Sequence, residues 1–162
     1  MPSRSAGVVL FRMVDESAQV LLAHPGGPFW AKRDEGAWSI PKGEYDQGSD
    51  PLAAALREFH EETGHQLPPG ERISLGSVRQ KGGKIVDAWA VEGDLDVTAA
   101  RSNTFSMEWP PRSGRMQEFP EVDRLGWFDL TAARAKILPS QAEFLDRLAE
   151  RLGLGPQPLA RS

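Results

Sequence analysis

The segment from Asp50 to Gly64 constrains the fold most strongly, because it carries a complete set of helix signals. Asp50 is a favourable N-cap residue, and Pro51 suits the first position of a helix. Residues 52–63 contain neither glycine nor proline, and Gly64 is a typical helix stop. At about 100° per residue, four residues share one side of this helix and form its predicted packing face: Leu52, Leu56, Phe59 and Thr63.

Strand-like segments surround this helix. Apolar, β-rich runs predict strands over residues 5–13, 19–23, 73–80, 84–92 and 105–109, with a short extended piece at 37–41. Gly82-Gly83 between two of these runs is a hairpin signal. We expect residues 112–123 to be irregular and residues 125–128 to form a brief apolar piece.

A second helix is predicted near the end of the chain. Ser140 and Glu143 have the spacing of a capping box, leucines follow at helical intervals, and Gly153 ends the run. Strands before, between and after two helices favour an α/β or α+β sandwich. We expect one domain over residues 1–155 and a disordered tail over residues 156–162.

Composition narrows the class of protein. A chain of 162 residues is about one domain long, and no apolar run approaches the roughly 18 residues of a membrane span. The absence of cysteine excludes disulfide frameworks and thiolate metal sites, and it is compatible with a cytoplasmic location. A net charge of −4 argues against DNA or an anionic membrane as the partner.

Three carboxylates crowd one flank of the first helix. Glu58, Glu61 and Glu62 fall within an arc of about 100°, on the side opposite the predicted packing face. Glu58 and Glu62 form a like-charge i,i+4 pair, and the C-terminal end of a helix disfavours anions. This unfavourable arrangement indicates a compensating cation, and clustered oxygen ligands suit Mg²⁺ or Mn²⁺.

The bland alternative is an ordinary solvated acidic face, in which Arg57 pairs with Glu61 at i,i+4. The preceding segment favours a site, because Lys42 and Gly43 stand in a short glycine-containing stretch where backbone carbonyls can approach a cation or phosphate. Alone, however, that stretch is equally compatible with a plain connection.

Together these residues resemble the signature of the Nudix hydrolase family. The family pattern is Gly, five residues, Glu, seven residues, then Arg-Glu-apolar-x-Glu-Glu-x-Gly-apolar. Matching residues stand at Gly43, Arg57, Glu58, Phe59, Glu61, Glu62 and Gly64. Two positions depart from the pattern, since Ser49 replaces the first Glu and His65 replaces the last apolar residue.

The resemblance implies an α/β/α sandwich with a mixed sheet between helices, and hydrolysis of a phosphoanhydride in a nucleoside diphosphate-linked compound. It assigns metal ligation to Glu58, Glu61, Glu62 and the Gly43 backbone carbonyl, with Mg²⁺ or Mn²⁺ as the cofactor. In that interpretation Arg57 orients Glu61. The general base is either a helix glutamate such as Glu61 or a loop glutamate, for which Glu121 is the first candidate and Glu118 the second.

Substrate contacts follow from charge and aromaticity. The candidate phosphate-binding residues are Lys42, Arg112, Arg115 and Lys81, with Lys84, Lys32 and Arg33 behind them. Aromatic residues in loop-like stretches that can stack on a base are Trp30, Phe29 and Trp109, whereas Trp38, Trp89 and Trp127 are expected in the core.

The lead-in Pro41-Lys42-Gly43 resembles family members that act on dinucleoside polyphosphates, such as diadenosine tetraphosphate, or on nucleoside triphosphates. The alternatives are a Nudix domain that senses a nucleotide without hydrolysing it, and a structural acidic domain. The sequence leaves the oligomeric state open between a monomer and a homodimer.

Overall fold

A six-stranded mixed sheet forms the centre of the molecule. The computed structural model describes residues 4–99 and 101–154. The strands are β1 (Arg4–Val14), β2 (Ser17–Pro25), β3 (Lys42–Glu44), β4 (Ile73–Arg79), β5 (Ile85–Glu92), β6 (Thr104–Glu108), β7 (Met116–Pro120) and β8 (Val122–Asp129). The helices are α1 (Pro51–Thr63), α2 (Leu130–Lys136) and α3 (Ala142–Arg151), with 3-10 turns at Lys81–Gly83, Val97–Ala99 and Pro139–Gln141.

The sheet has the order β4-β5-β1-β2-β8, and β3 pairs with the first residues of β1. β1 and β5 run parallel, and the other pairs in the sheet are antiparallel. β6 and β7 form a separate two-stranded hairpin. The hairpin predicted at Gly82-Gly83 is present between β4 and β5, and β1 and β2 form another hairpin.

Along each strand the side chains point alternately to the two faces of the sheet, and helices pack on both faces. On β1, Val8 and Leu10 belong to the core that contains Phe59 of α1. Val9 belongs to the opposite core, which contains Phe144 of α3. The expected α/β/α sandwich with a mixed sheet is confirmed.

The first helix begins and ends where the sequence predicts. The Asp50 side chain accepts a hydrogen bond from the Ala53 backbone N–H at 2.9 Å, and Gly64 ends the helix at φ 75°. The buried face differs in part from the predicted one. Phe59 and Thr63 are buried as predicted, but small alanines at 54 and 55 are buried in place of the leucines at 52 and 56, which are only partly covered. The buried face is therefore rotated toward the glutamate side of the helix.

Three local predictions are wrong. Residues 38 and 39 form only isolated bridges, and the strand follows Pro41 instead of preceding it. The segment predicted as irregular contains β7 and the start of β8. The capping box near Ser140 does not form, because Gln141 occupies the cap position without a side-chain bond and Glu143 pairs with Arg147.

The second helix of the chain, α2, was not predicted. Asp129 caps it by accepting a hydrogen bond from the Ala132 N–H at 2.7 Å. The signal was an N-cap residue ahead of an alanine-rich run, but the helix is only 7 residues long. The tail expected at residues 156–162 lies outside the described residues. Among the helices that the structure describes, none has the length and apolar character needed to cross a membrane.

The cap of α1 can be tested by stability. Asp50→Ala removes the acceptor for the Ala53 N–H and should lower the free energy of unfolding by about 1 kcal/mol, whereas Asp50→Ser should change it by about 0.5 kcal/mol or less. Urea unfolding measures both. Asp46→Ala, an exposed aspartate outside the helix, is the control. An equal loss in all three variants would show that the cap contributes nothing specific.

Candidate functional site

The glutamate flank of α1 lies directly against β3. At Gly43, a side-chain Cβ would stand 2.1 Å from both Cδ and Oε2 of Glu58, so only glycine leaves room for that carboxylate. The Glu58 side chain is 15% exposed. Desolvation by this packing, and then repulsion from Glu61, raise the pKa of Glu58. The helix thus presents a partly buried carboxylate to the backbone of β3.

Glu62 lies one turn further along the same flank. Its Oε1 accepts a hydrogen bond from the Lys42 backbone N–H at 3.3 Å. Burial raises the pKa of Glu62 to about 8, more than the Lys42 contacts lower it. Burial likewise lowers the pKa of the Lys42 ammonium group, against the attraction of Glu62. The expectation that all three glutamates stand opposite the packing face is wrong for Glu62, because the helix turns this residue toward the sheet.

Arg57 lies beside the outer two glutamates. Its Nη2 is 3.4 Å from Oε1 of Glu58, and its Nε is 3.9 Å from Oε1 of Glu61. Arg57 is 54% exposed and Glu61 is 37% exposed, so these are solvent-screened contacts that orient side chains more than they stabilise the fold.

A loop glutamate is held opposite the helix through backbone bonds. The Asn103 N–H donates to the Glu61 carbonyl at 3.0 Å, and the Asn103 carbonyl accepts from the Glu121 N–H at 2.8 Å. The Glu121 carbonyl in turn accepts from the Gly26 N–H at 3.0 Å. At Gly26 a Cβ would stand 1.9 Å from the Pro120 carbonyl oxygen, so glycine permits this close approach.

These groups line one open cleft of about 550 Å³. Its lining residues are Ser5, Lys42, Gly43, Glu44, Glu58, Glu61, Glu62, Lys84, Asn103 and Glu121. The structure thus brings together the helix glutamates, Gly43 of β3 and Glu121, the first candidate for a loop base. It also places Lys84 in the cleft, and Asn103, which no sequence motif indicated.

An aromatic pocket of about 340 Å³ adjoins the cleft. It is lined by Pro25, Gly26, Gly27, Phe29, Trp30, Phe105, Met107 and Glu121. Glu121 therefore belongs to both cavities. The third predicted stacking residue, Trp109, does not line the pocket but packs edge-on against Phe29 at 5.5 Å between ring centroids. Of the three tryptophans expected in the core, Trp38 is buried, and Trp89 and Trp127 are partly buried.

Other candidate residues lie away from the cleft. Lys81 stands in the exposed 3-10 turn after β4. Arg112 and Arg115 are exposed in the turn of the β6–β7 hairpin, where the Arg112 N–H donates to Glu108. Glu118 is exposed on β7 and is 3.4 Å from Thr104 Oγ1. None of these four residues lines the cleft or the aromatic pocket.

A polar network around the buried Asp87 side chain lies beside the end of β3. The Tyr45 hydroxyl donates to Asp87 Oδ2 at 2.7 Å, and the Arg4 guanidinium reaches Asp87 Oδ1 at 3.0 Å. The Ser77 hydroxyl also bonds Asp87. The bonds from Arg4, Ser77 and Tyr45 outweigh burial and hold the pKa of Asp87 below its usual value. Because Tyr45 follows β3 directly, this network helps to hold β3, and with it Gly43, in place against Glu58.

The acidic side chains that line the cleft are chemically suited to bind a hard divalent cation. All of its acidic groups are carboxylates, and the Gly43 backbone lies at the floor beside Glu58. Among residues 4–99 and 101–154, however, no three acidic or imidazole side chains are placed so that they could already hold an ion.

Comparison with known proteins identifies the family. The sequence model for the NUDIX domain matches residues 1–148 of this chain. The chain belongs to the Nudix family, in agreement with the residues that line the cleft.

Two curated relatives carry functional names. An 8-oxo-(d)GTP phosphatase of Mycolicibacterium smegmatis is 32% identical over 157 residues, covering 91% of this chain and 42% of that protein. An RNA pyrophosphohydrolase of Francisella tularensis subsp. mediasiatica is 41% identical over 74 residues, covering 41% of this chain and 46% of that protein. The chain therefore spans less than half the length of these two relatives.

Solved structures share the fold. A C. elegans Ap4A hydrolase in a binary complex superposes with a TM-score of 0.60 at 22% identity, covering 93% of this chain and 98% of that one. The NUDIX domain of Shewanella oneidensis NrtR, complexed with ADP ribose, superposes with a TM-score of 0.63 at 19% identity, covering 94% and 89%. At this level of identity the likeness concerns the fold alone.

The contact between β3 and α1 can be tested by a double-mutant cycle. Gly43→Ala forces a Cβ into the space of the Glu58 carboxylate and should destabilise the protein by about 1–3 kcal/mol, the usual cost of overpacking. Glu58→Ala empties that space, so Gly43→Ala should cost much less in the Glu58→Ala background. Urea unfolding of the four proteins gives the coupling energy. Additive effects would contradict the proximity of the two groups.

The raised pKa of Glu62 predicts a pH-dependent stability. The folded carboxyl keeps its proton up to about pH 8, whereas the unfolded one loses it near 4.5, so stability falls as pH rises through this window. Glu62→Gln removes this loss and should become increasingly stable relative to wild type, by about 1.4 kcal/mol per pH unit at most. Urea unfolding with EDTA measures it. Glu150→Gln, an exposed glutamate of α3, should follow wild type at every pH, and parallel curves for Glu62→Gln would contradict the prediction.

Proposed function

We propose that this protein is a metal-dependent Nudix hydrolase that cleaves a phosphoanhydride bond of a nucleoside polyphosphate. The observation that carries the proposal is the shared cleft, in which Glu58, Glu61 and Glu62 face Glu121 and two lysines. The relatives named as an 8-oxo-(d)GTP phosphatase and an RNA pyrophosphohydrolase support it, since their named substrates both contain nucleotide phosphoanhydrides.

A nucleotide fits the two adjoining cavities. The aromatic pocket takes the base, because flat apolar rings stack on side chains such as Trp30 and Phe105. The polyphosphate then extends past Glu121 into the cleft, where the ammonium groups of Lys42 and Lys84 bind its oxygens. This arrangement favours a nucleoside triphosphate or a dinucleoside polyphosphate such as diadenosine tetraphosphate over a polyphosphate that lacks a base.

The acidic residues have separate roles. Glu58, Glu61, Glu62 and the Gly43 carbonyl would hold Mg²⁺ or Mn²⁺, which neutralises phosphate oxygens and acidifies a bound water. Arg57 orients Glu61 and Glu58. Glu121, exposed at the junction of the two cavities, accepts the proton of the attacking water. Its position between base and phosphates favours it over Glu118, which lies outside both cavities.

The test is a substrate panel with Mg²⁺ or Mn²⁺, including nucleoside triphosphates, 8-oxo-dGTP, diadenosine tetraphosphate and 5′-triphosphorylated RNA. Mass spectrometry of the products identifies the cleaved bond. We expect Glu58→Gln and Glu62→Gln to lower kcat/KM by about 100-fold or more, and Glu121→Gln to lower kcat by about 100-fold. Glu150→Gln on α3 is the matched control and should retain wild-type activity.

The panel also decides between hydrolysis and sensing. If wild type and Glu62→Gln are equally inert on every compound while wild type binds one of them, the protein is a nucleotide-binding module. If neither activity nor any metal- or nucleotide-dependent rise in Tm is found, the acidic cluster is structural. Activity that survives in Glu58→Gln and Glu62→Gln would show that the catalytic groups lie elsewhere.

A further inference from the structure

His24 is a fully buried histidine that the proposed reaction does not use. It lies on β2, is 0% exposed, and packs edge-on against Trp38 at 5.1 Å between ring centroids. His24 is not part of the Nudix signature, and it is not one of the aromatic residues expected to stack on a base. Both of its ring nitrogens lie within hydrogen-bond distance of a polar partner.

Both partners of the imidazole are hydrogen-bond acceptors. Nε2 lies 2.6 Å from the Arg33 carbonyl oxygen, and Nδ1 lies 2.8 Å from Oδ1 of Asp123. A carbonyl oxygen and an ionised carboxylate accept hydrogen bonds and cannot donate them, so a ring with a proton on both nitrogens satisfies both partners. The geometry is that of an imidazolium paired with a carboxylate. Arg124 Nε, at 3.9 Å from the same Oδ1, is a second cation beside Asp123.

Each acceptor lies close in the chain to a residue that lines the aromatic pocket, Arg33 to Trp30 and Asp123 to Glu121. Arg33 ends a series of turns in which the Trp30 N–H donates to the Gly27 carbonyl and the Arg33 N–H donates to the Trp30 carbonyl. Its guanidinium also lies 5.5 Å from the Trp30 ring. Asp123 lies on β8, two residues after Glu121, and the register of β2 against β8 shifts right after His24. The imidazole therefore links the segment that carries Trp30 to the strand that follows Glu121.

We propose that His24, as an imidazolium bound to Arg33 and Asp123, is a positioning residue that fixes the aromatic wall of the pocket relative to Glu121. The proposal rests on the proposed function to the extent that the aromatic pocket takes a nucleobase. It predicts that His24 acts on ligands that carry a base and leaves the phosphate cleft unchanged, since neither His24 nor its two partners line that cleft.

The protonation state is read by NMR without any assay of activity. In ¹⁵N-labelled protein at neutral pH, both nitrogens of His24 should show attached protons, with the signals assigned by their loss in His24→Phe. In Asp123→Asn the amide can donate to a neutral ring, so one His24 nitrogen should lose its proton. A wild-type spectrum in which one His24 nitrogen carries no proton would overturn the imidazolium.

The positioning role is tested by comparing the affinities of two ligands in the presence of Mg²⁺. Isothermal titration compares the ATP analogue with methylene groups in place of both bridging anhydride oxygens, which has a base and no anhydride bond, with inorganic tripolyphosphate, which has no base. We expect His24→Phe to weaken binding of the nucleotide analogue by about tenfold, the effect of losing one charged hydrogen bond, and to change tripolyphosphate binding by about twofold or less. Asp123→Asn, which keeps a hydrogen bond to the ring but loses its charge, should give a smaller loss of the same kind.

Two controls separate positioning from general destabilisation. Val78→Ala removes two buried methyl groups from β4, the edge strand at the opposite end of the sheet from β8, and lowers stability away from the pocket. Asp15→Asn removes an exposed aspartate charge in the β1–β2 turn. Equal weakening of both ligands, a loss matched by Val78→Ala, or no binding of the nucleotide analogue by wild type would each overturn the role. A wild-type protein that binds selectively as described but hydrolyses nothing refutes the proposed function and leaves this inference standing.

Discussion

The packing of a helix carboxylate against a glycine backbone is the contact on which the candidate site depends. Gly43 leaves the space that the Glu58 carboxylate fills, and one turn later Glu62 accepts a bond from the Lys42 N–H of the same strand. Two acidic side chains are thereby partly withdrawn from water, which raises the pKa of both. Such desolvation is unfavourable for folding, so it indicates a ligand that recovers the energy when it binds.

The existence of α1 could be predicted because its signals are local. Asp50, Pro51 and Gly64 each act on the adjacent turn of backbone, and all three occupy the expected positions. The rotation of the helix about its axis was predicted less accurately, because hydrophobicity alone favours burial of the large leucines over the alanines. Ala54 and Ala55 allow a close approach to the sheet, and this approach turns Glu62 inward. A pattern of hydrophobicity fixes a buried face only when neighbouring elements are known.

The parts of the site that come from distant segments were predicted least completely. Glu121 was a candidate from its place in the chain, but its position opposite α1 results from backbone bonds through Asn103 and Gly26. Residues Arg112 and Arg115 were chosen for charge, yet the hairpin between β6 and β7 holds them at its exposed turn. The hairpin was predicted only in its first strand, because the second strand is largely exposed and has no apolar alternation to reveal it.

The charge balance within the cleft explains why acidic and basic residues occur there together. The five glutamates of the cleft alone would repel a polyphosphate, and lysines alone would bind it without activating water. Lys42 contributes its backbone N–H to Glu62, and its ammonium group lies in the field of Glu62, Glu44 and Glu58. Burial weakens its charged form, so a phosphate that reaches Lys42 gains more from binding it than from binding a lysine in water. The same burial that disfavours the free acids and the free lysine therefore favours the cation and the phosphate arriving together.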